Sequence, residues 1–156
     1  MSDPRAPAAA LTDAERAALL QAAVDAMGRA YAPYSNFQVG AAVLDDQGRI
    51  HPGCNVENAA YPQGVCAEGG ALSAMVLAGG RTVRAVLVVG RGAGLVTPCG
   101  GCRQKIREFA APDTPILIAD PQHVRATFTL DDLLPHSFGP DHLRADPAPG
   151  SERATP

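Results

Sequence analysis

The sequence predicts an α/β protein, a three-layer α/β/α sandwich around a mixed, roughly five-stranded sheet. Three observations carry this. A helical repeat of apolar residues follows a capping box near the start, and the β-branched run Val83 to Val89 reads as a strand buried on both faces. Helix and strand signals also alternate in the order α-β-β-α-β-α-β, with a final strand or turn. Helices set between parallel strands cover both faces of a sheet. A length of 156 residues and a hydrophobic fraction of 46% suit one domain with a real core. That domain is predicted over residues 11–140, after a mobile Pro/Ala-rich segment 1–10 and before a disordered tail 141–156.

The first helix begins at the box Thr12-Asp13-Ala14-Glu15, and Leu20, Val24, Met27 and Tyr31 mark its expected buried stripe. Pro33 ends it, and Tyr34 to Phe37 forms a loop. Val39 to Leu44 reads as a strand whose small residues Gly40, Ala41 and Ala42 call for close packing. The turn Asp45 to Gly48 leads to an antiparallel partner, Arg49 to Val56, which Pro52 assigns to an edge or a bulge. Cys66 to Leu77 is a helix stopped by Gly79-Gly80. Gly69 and Gly70 each cost that helix roughly 1 kcal/mol relative to alanine, so either something approaches its backbone or packing overrides the loss. Cys99 to Phe109 is the next helix, closed by Pro112. Ile116 to Ile118 is a short strand, and Thr127 to Leu130 a further candidate running into a helical turn at Asp131 to Leu134.

The net charge of -3 gives no electrostatic footprint for nucleic acid or an anionic membrane. No apolar run approaches a membrane span, and the start MSDPRAPAAA lacks the basic-then-apolar order of a signal peptide, which predicts a cytoplasmic protein. In that reducing compartment four cysteines are more often metal-bound or free than paired.

The most specific stretch is Gly64-Val65-Cys66-Ala67-Glu68-Gly69-Gly70, with its distant partner Thr97-Pro98-Cys99-Gly100-Gly101-Cys102-Arg103. Each places cysteine where a loop turns into a helix. Three thiolates on Zn²⁺ leave a fourth tetrahedral position open, the arrangement of a catalytic centre rather than a closed structural one. A carboxylate two residues from a ligand, as Glu68 is from Cys66, reaches a water there and shuttles its proton. On its own the C-x-x-C pair also fits a redox site or half of a zinc knuckle, and Cys54 could complete a structural four-cysteine site. The pattern C-x-E … P-C-x-x-C is that of the zinc-dependent deaminases.

From Tyr31 to Phe138 the chain resembles the tetrameric cytidine deaminases, in the blocks YAPYSNFQVGAA, GCNVENAAY, CAE, PCGGCRQ with REFA, and TLDDLLPHSF. The resemblance implies deamination of cytidine and deoxycytidine to uridine and deoxyuridine, one zinc per subunit, and active sites completed by neighbours in a homotetramer. It makes Cys66, Cys99 and Cys102 the zinc ligands and Glu68 the proton shuttle. It makes Asn55 and Glu57 the pair that binds the ribose 3′-hydroxyl, and places Phe37 against the pyrimidine. Phe138 becomes a second aromatic wall and Tyr61 a contact near the 5′-hydroxyl, both from other subunits, while the Ala67 backbone helps to recognise the base.

Each role has a plainer reading beside it. Asn55 and Glu57 alternate by two and equally describe a solvated strand end. Phe37 and Phe138 read as core aromatics, Tyr61 as a packed interface residue, and Cys54 as a small hydrophobe. One departure stands out: many members of the family carry arginine after the catalytic glutamate, where this chain has Gly69. Zinc with three thiolates carries net charge −1, which opposes acidifying its water. Helix N-termini behind Cys66 and Cys99 offset part of this, and Arg103, the nearest cation in sequence, is a candidate to hydrogen-bond a thiolate. The plainer alternative pairs Arg103 with a carboxylate or a neighbouring subunit. Two other functions remain open at this stage. One is a deaminase of another aminated nucleoside, such as a blasticidin-type antibiotic or a modified cytosine; the other is a catalytically silent zinc-binding protein.

Overall fold

The computed structural model describes residues 10–143. Its elements are α1 (Asp13–Met27), β1 (Val39–Asp45), β2 (Ile50–Cys54), α2 (Ala67–Leu77), β3 (Val83–Gly90), α3 (Gly100–Arg107), β4 (Pro115–Ala119), β5 (Val124–Thr129) and the short α4 (Leu130–Leu133). The five strands form one sheet in the order β2-β1-β3-β4-β5. Strands β3 and β4 run parallel, joined through α3, and the other neighbours pair antiparallel. The Pro52 strand is indeed an edge, and the Val83 run lies at the centre of the sheet.

Alternation along the strands divides the core into two layers. Ala42, Leu44, Ala85, Leu87, Val89 and Leu117 face α1. Ala41, Val43, Val86, Val88, Ile116 and Ile118 face the side of α2, with Ile106 of α3 and Leu130 of α4. The sandwich therefore has one helix on one face and the two cysteine-bearing helices together on the other.

Two glycines allow the helices to lie this close. A Cβ on Gly40 would overlap the carbonyl oxygen of Ala23 in α1, and a Cβ on Gly53 would overlap the backbone of Ala67 and Ala71 in α2. The close approach expected at Gly69-Gly70 is real, but its demanding partner is Gly53 on β2. Beside Gly69 itself a Cβ would find ordinary contacts at 3.8 and 3.9 Å.

The capping box forms as read: Glu15 N donates to Thr12 Oγ1 at 3.1 Å and Thr12 N to the Glu15 carboxylate at 2.9 Å. The stripe behind it is different. Leu19, Ala23, Ala26 and Met27 are buried, whereas Leu20 and Val24 pack at its shoulders and Tyr31 is exposed. This face forms because α1 rides directly on Gly40 with the backbone of Ala23 and Met27, so the expected Met27 is buried there beside Ala23. Tyr31 lies beyond the helix end at Gly28, and its backbone pairs with Asn55 and Glu57 instead. Apart from residues 10 and 141–143, the segments read as a mobile start and a disordered tail lie outside the described residues. The ordered chain continues past residue 140 in a 3-10 turn, Pro140–Leu143.

Asp45 closes the β1–β2 hairpin from within. Wholly buried, its carboxylate accepts from Gln47 N and Arg49 N at 3.0 and 2.8 Å, from Arg49 Nε at 2.8 Å, and meets His51 Nε2 at 2.9 Å. Burial pushes this carboxyl up, but the His51 and Arg49 contacts and the two amides outweigh it and leave it below its ordinary value of 3.8. Its contribution to stability is therefore complete above that value and is lost as pH falls through the lower folded one. Asp45→Ala should cost about 3 kcal/mol, because it strands His51 and Arg49 as well as two amides. Urea unfolding at pH 7 measures this, and a loss below about 1 kcal/mol would contradict it.

Candidate active site

The N-termini of α2 and α3 meet on one face of the sheet, and cysteine stands at both. Cys66 is the N-cap of α2 and Cys99 the N-cap of α3, each in extended conformation, with Cys102 in the first turn of α3. Neither cap makes a side-chain hydrogen bond to its helix, so the sulfurs are free to converge. All three Sγ atoms lie within 4.8 Å of one another, and Cys66 and Cys99 are 3.9 Å apart. Tetrahedral Zn–S bonds of about 2.3 Å place sulfurs about 3.8 Å apart, so the cluster fits one zinc ion. The cysteines are unpaired thiols, and Cys54, at the end of β2, is not part of the cluster. A four-cysteine structural site is thereby set aside.

Glu68, in the first turn of α2, is 4% exposed. Burial and then its negative charge push Cys102 well up, and burial followed by Cys99 and Glu68 raises Cys66. Cys99 is drawn down, first by the backbone amide of Cys102 beside its sulfur. The carboxylate is thus close enough to bear on every thiol of the cluster.

A cleft of about 510 Å³ is lined by Cys66, Val65, Gly64 and Tyr61 together with Asn55, Glu57, Tyr34 and Ser35. Asn55 and Glu57 are not simply a solvated strand end. Asn55 Oδ1 accepts from Val39 N at 2.8 Å and its amide donates to the Phe37 carbonyl at 2.9 Å. The Glu57 carboxylate accepts from Tyr34 N at 2.8 Å, Ser35 N at 3.2 Å and the Ser35 hydroxyl. The Ser35 hydroxyl and those amides hold Glu57 below the usual carboxylate range, ionised and with lone pairs to spare. The pair therefore ties down the 34–39 loop while facing the cleft. Ser35 escaped the sequence reading, because a hydroxyl inside a loop carries no spacing signal.

The aromatics are not core. Phe37 is 45% exposed, Phe138 57% and Tyr61 76%. Tyr61 touches Tyr34 edge-on at 6.0 Å and lines the cleft, whereas Phe37 and Phe138 are not among the residues lining it. Ala67 is fully buried at the start of α2.

Chain comparison decides the family. Residues 13–118 match the model of the cytidine and deoxycytidylate deaminase zinc-binding region. The chain belongs to the cytidine deaminases. Zinc is accordingly the metal of its thiol cluster. A cytidine deaminase of Sporosarcina psychrophila is 42% identical over 115 residues, 74% of this chain and 85% of that protein. One from Mycobacterium tuberculosis is 42% identical over 121 residues, 78% of this chain and 87% of the relative. The crystal structure of cytidine deaminase from Burkholderia pseudomallei superposes with a TM-score of 0.74 at 43% identity, covering 82% of this chain and all of that one. The deaminase sandwich and its mixed five-stranded sheet are thus those read from the sequence.

Arg103 requires a correction. Its Nε donates to the Pro98 carbonyl at 2.8 Å, one terminal nitrogen to the Leu133 carbonyl at 2.8 Å and the other to Thr97 Oγ1 at 3.3 Å. None of these partners is a thiolate or a carboxylate. A guanidinium at the second turn of α3 reaches back along the loop before Cys99 more easily than into the cluster. Arg103 staples that loop to the last residue of α4. Arg103→Ala should therefore weaken zinc retention about tenfold by loosening the Cys99 loop, the lower end of the cost of removing support behind a ligand. Competition with a chromophoric chelator reads this, and unchanged affinity would deny the staple any part in the site. Cys66→Ala, Cys99→Ala and Cys102→Ala should each lose most of the bound zinc by elemental analysis.

Proposed function

We propose that this chain catalyses the hydrolytic deamination of cytidine and deoxycytidine to uridine and deoxyuridine, releasing ammonia. The observation that carries this reading is a buried carboxylate, Glu68, beside three converging thiols, one of which, Cys66, lines a cleft that Asn55 and Glu57 also line. The named relatives, cytidine deaminases, support the same reading.

In this reading Cys66, Cys99 and Cys102 hold the zinc. Bound there, zinc supplies the Lewis acidity that brings a water's pKa toward ~7. Glu68 accepts the proton of the water that adds to C4 of the pyrimidine and delivers it to N3. After addition, Glu68 moves the proton of the new C4 hydroxyl to the amine, so that the C4–N bond breaks, C4 becomes a carbonyl and ammonia leaves as a neutral molecule. Its burial shields these transfers from bulk water. Asn55 and Glu57 bind the ribose 3′-hydroxyl, Glu57 as an ionised acceptor; Phe37 packs on the pyrimidine, and the Ala67 backbone at the start of α2 contacts the base.

The working unit in this reading is a homotetramer in which Phe138 and Tyr61 enter the sites of neighbouring chains, and it resides in the cytoplasm. The exposure of both aromatics suits that role. No helix among the described residues is long and apolar enough to cross a membrane. Light scattering on a size-exclusion column should give four chains, and an active monomer would contradict the shared sites.

The direct test follows the absorbance change of cytidine becoming uridine. Turnover of cytidine and deoxycytidine is expected, and none by a folded, zinc-replete chain would end the proposal. An antibiotic nucleoside or modified cytosine accepted in their place would assign the cleft to another aminated nucleoside. Glu68→Gln should retain zinc and lose about 10²- to 10⁴-fold in kcat, the usual range for a general acid–base group. Loss of the metal from that variant would make Glu68 a ligand instead.

A further inference from the structure

Helix α3 carries Cys102 on its buried side, while another face grips the segment around Phe138. Gln104 Nε2 donates to the Phe138 carbonyl at 2.9 Å. One turn on, Arg107 Nε donates to Ser137 Oγ at 2.9 Å and a terminal nitrogen to Asp141 Oδ1 at 2.7 Å. Gln104 and Arg107 stand three residues apart, so both point to one face of the helix. Gly139 closes over the guanidinium so tightly that a Cβ there would overlap its central carbon and both terminal nitrogens. The turn is completed by Gly139 N donating to His142 Nδ1 at 3.0 Å and by the His142 ring stacking on Phe138, 5.0 Å between centroids.

The chain between Ser137 and Asp141 is thus wrapped around one cation. The Arg107 side chain is 15% exposed, yet Phe138, at the crest of the wrap, is 57% exposed. A segment held only for stability would turn its aromatic inward. Here the polar atoms and the glycine face the arginine, and the ring is presented outward.

We propose that Arg107, assisted by Gln104, is a positioning residue that sets Phe138 at the angle needed to wall a neighbouring chain's nucleoside cleft. This rests on the reading of Phe138 given above. Four bonds and one close contact hold the ring's backbone before any partner arrives, so little freedom remains to be lost when substrate binds. The same helix then links the metal centre of one chain to the substrate site of another.

The test compares cytidine kinetics of the zinc-loaded wild type with Phe138→Ala, Arg107→Ala, Arg107→Lys, Gly139→Ala and Gln104→Ala, together with the Arg107→Ala/Phe138→Ala double variant. Phe138→Ala should raise KM about three- to tenfold and leave kcat within about twofold, as loss of uniform aromatic binding does. Arg107→Ala and Gly139→Ala should each reproduce most of that rise. Arg107→Lys should recover part of it, keeping a cation for Asp141 but losing the fork that also holds Ser137. In the double variant Arg107→Ala should add nothing to Phe138→Ala, since the ring it positions is gone. Light scattering and thermal unfolding on each variant separate this from loss of assembly or of fold.

If Phe138→Ala raises KM while Arg107→Ala does not, or if their effects multiply, the clamp is wrong and the aromatic wall stands. If Phe138→Ala leaves KM unchanged, the wall itself fails and the clamp with it. Should the Arg107 and Gly139 variants not fold, Gln104→Ala decides alone. It removes one exposed bond, and an unchanged KM there would overturn the proposal.

Discussion

Everything in this structure depends on two helix N-termini being aimed at one point. The first-turn amides of a helix have no intrahelical acceptor, and aligned peptide dipoles leave partial positive charge at that end. Placing Cys66 and Cys99 at the N-caps and Cys102 one turn in sets three sulfurs in the combined field of α2 and α3. The Cys102 backbone amide, which lies beside the Cys99 sulfur and lowers its pKa, is the most direct expression of that field. The sheet exists in the form needed to hold this aim. The parallel pairing of β3 with β4 returns α3 to the face that α2 occupies, and Gly53 lets β2 bear directly on the first turns of α2.

The same constraint explains how the site manages with no cation bonded to its sulfurs among the described residues. Three thiolates and Glu68 outweigh a divalent ion by two charges, which disfavours deprotonating a water unless the surroundings supply positive potential. Gly69 supplies no side chain, and Arg103 is bonded to Pro98, Leu133 and Thr97. The helix ends remain, and one flexible cation lies close. The stem of Lys105 passes 3.9 Å from where a Gly69 Cβ would stand, and its ammonium 3.7 Å from that of Gly101, between the cysteines of α3. A lysine three residues past the last cysteine carries no meaning in the sequence. Only the turn of the helix returns it toward the cluster.

What could be read in advance follows from this division. Cys66, Cys99, Cys102 and Glu68 were legible because metal chemistry fixes ligand type and short-range spacing, and the loop-to-helix signals beside them fix direction. Strand order was legible in part, since Pro52 bars β2 from the interior and the Val83 run demands burial on both faces. The phase of α1 was not. In a helix so rich in alanine, periodicity follows the larger side chains, whereas the face that meets Gly40 is set by the backbone at Ala23 and Met27. Asn55 and Glu57 were visible as candidates, but their partners in the 34–39 loop were not, because backbone amides leave no trace in composition. Arg103 was misjudged for a related reason. Nearness in sequence to a thiolate says little when three acceptors on neighbouring loops fit a guanidinium better.

The exposed side chains carry the last step. Tyr34, Val56, Tyr61 and Val65 line the cleft, and Phe37 and Phe138 stand exposed elsewhere on the same chain. Scattered apolar residues need no explanation on a protein surface, but a run of them along a cleft does. Left to water, such a cleft would admit solvent to the proton relay proposed for the buried Glu68. Ordered chain could have folded back to cover it, yet residues 137–142 are bound to α3 with the Phe138 ring turned outward. In the proposed homotetramer, an aromatic held away from its own core by these bonds would be supplied to another copy. Closure of the cleft, exclusion of water and assembly would then be one event.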